Sequence, residues 1–492
     1  MKKKSLGLNG LLNGLRSMLN LIFPLITFPY VTRVLSVNGI GKYNFSNTYV
    51  GYFVLIAGLG ISTYAVREGA KYRDDRAKIS EFVSQVFTIN IFSTIIAYLL
   101  LAISLILFHN LAQYVACIII FSLQIFFTTL GTEWIYIIYE EYSYITIRSI
   151  IFKVISILLL FVFVKKTADY LNYAAITVFA SVGSNLLNFI HAKKFCDIRL
   201  SSHISWKYHL KPILVIFATT LAVNIYLSSD TTILGIMKTD YAVGIYSTAV
   251  KIYTIVATLL GSVVAVTVPR LSMLMGQYRR EEYNNIFSQV INMLNIFVIG
   301  GTIGLIMMSR EIVMLIAGEK YLAPINSLRI IGLAIIFSNF SFIFTNCALI
   351  PAKRENAALK NTIITALVNI ILNFILIPKF SYDGTAFSTV VAEFMTMIMN
   401  YWSARDILRN IVFSKEIFKN LLTSLLGGLG IIVTCVLCKY LFSSLVIKLI
   451  LAVLLSVIVY MCILIVCKND YALYYFDRFK DKCWNVVRKK DE

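Results

Sequence analysis

Polar residues recur at one-face helical spacing inside the first long apolar run of the chain. The stripe consists of Asn9, Asn13, Arg16, Asn20, Pro24 and Thr27. At 100° per residue these positions fall within an arc of about 80°, and apolar side chains cover much of the remaining helix surface. If this helix crosses a membrane, its arginine and asparagines predict contact with water or with an anionic, hydrogen-bonding ligand.

Several later apolar runs carry stripes of the same kind. They are Ser149, Lys153 and Ser156; Thr220, Asn224, Ser228 and Thr231; Ser247, Lys251, Thr254, Thr258 and Ser262; Asn361, Thr365, Asn369 and Asn373; and Thr389, Glu393, Thr396 and Asn400. From these stripes, and from Arg33 at the end of the first apolar run, we predict a substrate-binding set of Arg16, Lys251, Arg33, Lys153, Asn20 and Asn224. The alternatives are hydrogen bonding between helices for the polar residues, and snorkelling or an internal ion pair for the cations.

Three acidic residues also lie within apolar runs. They are Glu133, Asp230 and Glu393. A carboxyl group in a low-dielectric environment can bind and release a proton or Na⁺ as its surroundings change. We therefore predict that these residues are candidates for coupling transport to an ion gradient. Pairing with Lys153, Lys251 or Arg16 is the structural alternative.

The elements that must position these residues are long apolar helices. The chain has 492 residues, 59% of them hydrophobic and only 14% charged, and its mean hydropathy is +0.79. About fourteen runs are long enough to cross a bilayer, each needing roughly 20 apolar residues. We predict spans near residues 7–33, 45–66, 82–108, 112–137, 145–164, 170–192, 211–236, 244–268, 285–308, 327–350, 358–377, 384–403, 417–440 and 443–467. The predicted fold class is an all-α polytopic membrane protein.

The formal net charge of +20 is explained by membrane orientation better than by nucleic-acid binding. Most Lys and Arg residues lie in connections that alternate onto one side of the membrane, which is the positive-inside pattern. This pattern places both termini in the cytoplasm. The four histidines show no metal-ligand grouping, and Cys435 and Cys438 lie within an apolar helix, so we expect no metal and no cofactor.

A weak internal repeat suggests two similar lobes. Gly41 and Tyr43 recur 203 residues later as Gly244 and Tyr246, and Arg67 recurs as Arg270. Duplicated halves with the substrate between them are a common plan among transporters. We predict an N-lobe over 1–195, a C-lobe over 205–405, two appended helices over 415–467 and a cytoplasmic interfacial tail over 468–492.

Several segments resemble bacterial Wzx-type polysaccharide repeat-unit flippases. They are LRSMLNLIFPLITFPYVTRVLSVNGIGKYNFSNT near the start, GTEWIYIIYEEYSYITIRSIIFK over 131–153, SSDTTILGIMKTDYAVGIYSTAVKIY over 228–253, and PRLS from Pro269. The resemblance implies the multidrug/oligosaccharidyl-lipid/polysaccharide exporter superfamily, with two six-helix lobes in a V around a central cavity. It also implies that undecaprenyl-pyrophosphate-linked oligosaccharides cross the bacterial inner membrane by alternating access.

The resemblance further implies that cations on helices 1 and 8, here Arg16 and Lys251, face the cavity and meet the pyrophosphate. The expected partners are a lipid-linked oligosaccharide, H⁺ or Na⁺, membrane lipids and the polysaccharide polymerase machinery, with no nucleic acid. We predict a transporter and not an enzyme. The competing interpretations are a cation-coupled multidrug exporter and, from a different class, a membrane polysaccharide polymerase or ligase.

Overall fold

The structure is a computed structural model that describes residues 22–474. The predicted site residues Arg16 and Asn20 lie outside this range, as does the end of the chain from residue 475. Twenty α-helices make up most of the described chain. The first eleven are α1 (Ile22–Val34), α2 (Val37–Gly58), α3 (Ile61–Gly69), α4 (Arg76–Leu107), α5 (Val115–Gly131), α6 (Glu133–Ile138), α7 (Tyr142–Phe163), α8 (Tyr170–Val182), α9 (Asn185–Ala192), α10 (Trp206–Met237) and α11 (Asp240–Ala265).

Nine further helices complete the described fold. They are α12 (Val268–Gly276), α13 (Arg280–Met307), α14 (Ser309–Ile316), α15 (Pro324–Gly332), α16 (Ala334–Ile343), α17 (Glu355–Ser403), α18 (Arg405–Val412), α19 (Lys415–Leu441) and α20 (Leu445–Val466). No β-strand occurs between residues 22 and 474.

Twelve helical segments among the described residues are long and apolar enough to cross a membrane. The prediction of an all-α, multi-pass membrane protein is therefore confirmed. The exact number of fourteen spans stays a prediction. The first predicted span, 7–33, is described only from residue 22, and α17 contains a kink at Ser381, where φ is 50° and ψ is −130°. This kink falls between the predicted spans 358–377 and 384–403.

The chain divides into two compact units, residues 1–247 and 248–492. In the first unit, α2 packs against α4 and α5, and α5 packs against α8. Close approach requires small residues here, because a Cβ atom on Gly235 of α10 would meet the Phe45 ring at 2.3 Å. The predicted lobe boundary near residues 195–205 stays a prediction.

In the first unit, a row of hydroxyl groups on α4 accepts hydrogen bonds from the backbone of the connection that precedes α10. The bonds run from Asp197 N–H to Ser80 Oγ at 2.9 Å, from Arg199 N–H to Ser84 Oγ at 3.2 Å, and from Ser201 N–H to Thr88 Oγ1 at 2.9 Å. Two extended residues advance about 6.6 Å and four helical residues about 6 Å, so alternate backbone donors match successive turns of the helix. The connection therefore lies along α4 in a fixed register.

In the second unit, α19 and α20 pack against each other and against α13. Glycines allow this close packing, since a Cβ atom on Gly427 would meet the Tyr460 ring at 2.7 Å. The Tyr460 hydroxyl donates to the Ile296 carbonyl oxygen at 2.9 Å. The outer faces of these helices carry exposed apolar side chains such as Leu454 and Ile458, as expected where a helix meets lipid.

Candidate functional site

Lys251 lies on α11, inside a segment long and apolar enough to span the membrane. Its side chain is half-buried. Within residues 22–474, Lys251 makes neither a hydrogen bond nor an ion pair. An ammonium group within a span is normally paired or hydrated, because placing a charge in hydrocarbon without compensation is unfavourable. No described residue compensates the positive charge of Lys251, so this charge is left for a ligand to neutralise.

The rest of the α11 stripe continues on an uncovered face. Thr254, Thr258 and Ser262 are all exposed. The Thr258 hydroxyl donates to the Thr254 carbonyl oxygen at 2.7 Å, and the Ser262 hydroxyl donates to the Leu259 carbonyl oxygen at 2.6 Å. These bonds stay within the helix, so the hydroxyl oxygens can still accept hydrogen bonds from water or ligand. The face around Lys251 is polar without being used in packing between helices.

On α10, the predicted residues Asn224 and Asp230 have different environments. Asn224 is half-buried, and its amide donates to the Thr220 carbonyl oxygen at 2.9 Å. Asp230 is buried, with 7% of its surface exposed. The hydroxyl of buried Tyr246 donates to Asp230 Oδ2 at 2.7 Å. This hydrogen bond ties α10 to the start of α11 within the first unit.

Glu133 forms an ion pair that the sequence analysis did not predict. Its Oε2 lies 3.8 Å from Nη2 of Arg148, whose side chain is 9% exposed. The structural partners expected from the sequence are Lys153, Lys251 or Arg16, and Arg148 is not among them. The available signal was its position inside the predicted span 145–164. Arg148 also lies 6.0 Å from the centre of the Tyr144 ring, measured from Cζ.

The Glu133–Arg148 pair lies beside a break in a membrane-spanning helix. Between α5 and α6, Thr132 adopts a left-handed conformation with φ 39° and ψ 34°, which is strained for a β-branched residue. Thr132 Oγ1 and both side-chain polar atoms of fully buried Asn188 have no hydrogen-bond partner within the described chain. Buried polar atoms are normally satisfied, so this region has hydrogen-bonding capacity for water.

The other two predicted cations lie on α1 and α7. Arg33 is exposed, and its Nη1 donates to the Pro29 carbonyl oxygen at 2.9 Å, within the same helix. Lys153 is half-buried. Their predicted role in substrate binding stays a prediction, as do the roles of Arg16 and Asn20.

The predicted stripes on the two halves of α17 bond to each other. Asn361 Nδ2 donates to Asn400 Oδ1 at 2.9 Å, and the Thr396 hydroxyl donates to the Thr365 hydroxyl at 3.0 Å. The hydroxyl of Ser388, which precedes the second predicted stripe, donates to Asn373 Oδ1 at 3.1 Å. Hydrogen bonding between helices, the stated alternative, therefore describes much of these two stripes.

Glu393 belongs to the same region but has a different neighbour. It is half-buried, and its carboxylate interacts electrostatically with the Tyr253 phenol on α11. Within residues 22–474, no group of three or more His, Cys, Asp or Glu side chains is arranged to hold a metal ion.

Comparison with known proteins shows the family to which this chain belongs. The family described as polysaccharide biosynthesis protein matches residues 6–275, more than half of the chain. This chain belongs to that family. The resemblance to Wzx-type flippases of the wider exporter superfamily is confirmed at this level.

Relatives of this chain include a "Putative O-antigen transporter" of Escherichia coli (strain K12). It is 22% identical over 383 residues, which cover 76% of this chain and 90% of the relative. "Capsular polysaccharide biosynthesis protein CapF" of Staphylococcus aureus is 23% identical over 76% of this chain and 92% of its own length.

The fold is shared with solved transporters. The structure titled "Lipid II flippase MurJ, inward closed conformation" superposes with a TM-score of 0.73 and 17% identity, covering 96% of this chain and 99% of that one. An inward-facing multidrug resistance MATE family transporter gives a TM-score of 0.62 and 13% identity, covering 81% and 96%. These likenesses establish the fold and not the transported molecule.

Proposed function

We propose that this protein moves undecaprenyl-pyrophosphate-linked oligosaccharides from the inner to the outer leaflet of the bacterial cytoplasmic membrane. The observation that carries the proposal is Lys251, a half-buried cation in a membrane span with no counter-ion in residues 22–474. A pyrophosphate supplies the missing negative charge. The family and the names of the relatives, which concern O-antigen and capsular polysaccharide, support the same class of substrate.

The physical need for such a cation follows from the energetics of the headgroup. Moving an unpaired phosphate into hydrocarbon costs tens of kcal/mol by Born reasoning. A hydrated path with fixed cations removes much of this barrier, and an inside-negative potential favours outward movement by about 2.3 kcal/mol per charge per 100 mV. In this proposal Arg16, Arg33 and Lys153 assist Lys251 with the pyrophosphate. Asn20 and Asn224 form hydrogen bonds with sugar hydroxyls. Asn224 accepts them with its side-chain carbonyl oxygen.

Ion coupling belongs to the same proposal, with H⁺ or Na⁺ as the coupling ion and alternating access as the mechanism. Asp230, Glu133 and Glu393 remain its candidates. Asp230 is favoured by its contact with Tyr246, because neutralising the carboxylate weakens a charge-assisted hydrogen bond between α10 and α11. Replacing Asp230 with Asn should therefore change how flipping depends on pH or Na⁺. An unchanged dependence in this variant excludes Asp230 as the coupling site.

The proposed orientation places both termini in the cytoplasm, which agrees with the distribution of basic residues in the sequence. Membrane lipids surround the helices, and the polysaccharide polymerase machinery receives the flipped unit on the outer side. In this scheme the protein catalyses no covalent step.

A cation-coupled multidrug exporter with the same fold is the principal alternative. Its binding site has to attract organic cations, whereas Lys251 repels them. The two functions therefore predict opposite effects for removal of this charge. Loss of the charge should weaken transport of an anionic headgroup and should improve efflux of an organic cation.

The test compares Lys251→Gln with Lys251→Arg in cells that lack their own copy of the protein. Lys448 on α20 provides the control, because it is a half-buried lysine outside the proposed site. We take the interaction between Lys251 and the pyrophosphate as about 1–2 kcal/mol, below the Coulomb limit of about 4 kcal/mol for two unit charges about 4 Å apart at ε ≈ 20. Because Lys251→Gln removes this interaction, it should slow flipping about tenfold.

The readout is the fraction of lipid-linked repeat units that accumulates on the inner leaflet at matched protein levels in the membrane. Lys251→Arg should retain most activity, and Lys448→Gln should retain all of it. Wild-type export by Lys251→Gln would remove this residue from the substrate path. Improved efflux of an organic cation by the same variant would establish the exporter alternative.

A further inference from the structure

The corner between α18 and α19 forms a groove of ≈ 490 Å³. Its walls include Phe413, Lys415, Phe418, Lys419, Leu422 and Thr423. Three of these side chains are large, apolar and strongly exposed: Phe413 by 72%, Phe418 by 61% and Leu422 by 46%. The groove therefore combines an apolar floor with ammonium groups.

The local sequence explains this combination. Lys415, Phe418, Lys419 and Leu422 follow the i, i+3, i+4, i+7 pattern, which places them on one face of α19. The lysines come first and lie at the helix end, and Leu422 lies further along the membrane-spanning segment. Charge at the end of a span and apolar surface deeper within it match the polarity gradient of a lipid monolayer.

The preceding helix α18 adds to the positive charge beside the groove. Arg405 and Arg409 are exposed, while Leu408 and Ile411 on the same short helix are buried. The Arg405 guanidinium lies 4.8 Å from the centre of the Trp402 ring. A basic, amphipathic helix of this kind is typical of the surface of an anionic membrane leaflet.

The carboxylates near the groove already have partners. Arg354 Nη1 and Nη2 donate to the two carboxylate oxygens of Asp406 at 2.6 and 2.7 Å. Glu416 interacts with Tyr471. Asp470 Oδ1 accepts a hydrogen bond from Lys419 Nζ at 2.7 Å. By contrast, the Lys415 side chain has no hydrogen-bond or ion-pair partner in the described range 22–474. The Tyr471 hydroxyl does not neutralise Glu416, but the remaining cations (Arg405, Arg409, Lys415 and Lys419) outnumber the carboxylates Glu416 and Asp470. The rim of the groove thus keeps a net positive charge.

We propose that this groove binds an anionic phospholipid of the surrounding leaflet. The phosphate contacts Lys415, with Arg409 and Lys419 nearby, and an acyl chain covers Phe413, Phe418 and Leu422. Charge complementarity selects an anionic headgroup, and the exposed aromatic floor selects a lipid over a free phosphate ion. The groove shares no residue with the proposed substrate-binding set, so the proposal does not depend on the transported molecule.

The experiment measures lipids retained by the full-length purified protein in native mass spectrometry. The probes are phosphatidylglycerol and phosphatidylcholine with matched acyl chains. We expect wild-type protein to retain phosphatidylglycerol preferentially. A juxtamembrane lysine contributes about 1 kcal/mol to binding an anionic surface, so Lys415→Gln should reduce this preference about fivefold. Asp470→Asn should increase it, because this change releases Lys419 from its carboxylate partner.

The matched control is Lys166→Gln, since Lys166 is an exposed lysine in the short connection between α7 and α8. This control should retain the wild-type preference. Equal retention of the two lipids by wild-type protein, or an unchanged preference in Lys415→Gln, would overturn the proposal. Displacement of phosphatidylglycerol by inorganic phosphate alone would overturn the role of the apolar floor. None of these results depends on whether the protein flips an oligosaccharide.

Discussion

The hydrogen bond between Tyr246 and Asp230 gives a quantitative test of how α10 and α11 are held together. Tyr246 is 2% exposed and Asp230 is 7% exposed, and their side-chain oxygens lie 2.7 Å apart. Tyr246→Phe removes the hydroxyl group and keeps the packed ring. The change therefore isolates this bond from the surrounding apolar contacts.

The expected magnitude depends on the charge of Asp230. A hydrogen bond to a charged group stabilises a protein by about 1.5–3 kcal/mol. Neutral hydrogen bonds between membrane helices average only about 0.6 kcal/mol. With an ionised carboxylate, Tyr246→Phe should lower the free energy of unfolding by about 2 kcal/mol, which is roughly thirtyfold in the unfolding equilibrium constant. A loss near 0.6 kcal/mol would indicate a protonated Asp230.

The assay is reversible unfolding of the purified protein in mixed detergent micelles at neutral pH. Tyr241→Phe is the control, because Tyr241 lies on the same helix and its side chain is 42% exposed. This control should unfold like the wild-type protein. If Tyr246→Phe and Tyr241→Phe have the same stability, the bond does not hold these helices together and the reasoning is refuted.

Three further perturbations test other parts of the structure. Replacing Ser84 and Thr88 with Ala and Val removes two hydroxyl acceptors of about 1 kcal/mol each, so amide hydrogen exchange in residues 197–201 should rise about fivefold per lost bond. Asn400→Ala removes three hydrogen bonds, two of them buried, and should lower the free energy of unfolding by about 2 kcal/mol. The Arg354 guanidinium lowers the pKa of Asp406, so the pair stabilises the fold above the ordinary aspartate pKa. This stability is lost as the pH falls through the lowered value, and Asp406→Asn should therefore lower the thermal midpoint at pH 7 but not at strongly acidic pH.

Matched variants define the outcomes of these three tests. Thr219→Val removes an exposed hydroxyl that donates to a carbonyl oxygen of its own helix, Asn346→Ala removes an amide whose hydrogen bond to the Phe342 carbonyl oxygen is exposed, and Asp74→Asn removes a 99% exposed carboxylate. Each control should behave like wild type. Equal hydrogen exchange, equal unfolding or an equal pH response in a test variant and its control contradicts the corresponding assignment.

The sequence predicted the helical, membrane-spanning architecture because hydrophobic length alone decides whether a segment can cross a bilayer. It also identified which face of each helix is polar, because that depends only on spacing. The exposed stripe that follows Lys251 on α11 agrees with this prediction. The resemblance to polysaccharide flippases, carried by short segments, is confirmed by the family match over residues 6–275.

Spacing does not decide which helix meets a polar face. Asn361 and Asn400 on the two halves of α17 bond each other and Asn373 accepts from Ser388, whereas Lys251 on a similar stripe has no partner in residues 22–474. Helix rotation and packing produce this difference, and neither is encoded in the period of one helix. The same holds for Glu133, whose contact with Arg148 requires the left-handed turn at Thr132 and the docking of α7.

The sequence by itself therefore determined the solvent of each segment: lipid for the long apolar runs and water for the basic connections. Only the tertiary structure decided which buried polar groups compensate one another and which remain available to a ligand. The physical reason is that these interactions differ in range. Burial of apolar surface acts on each segment separately, but a hydrogen bond or ion pair forms only when two specific atoms meet within a few ångströms.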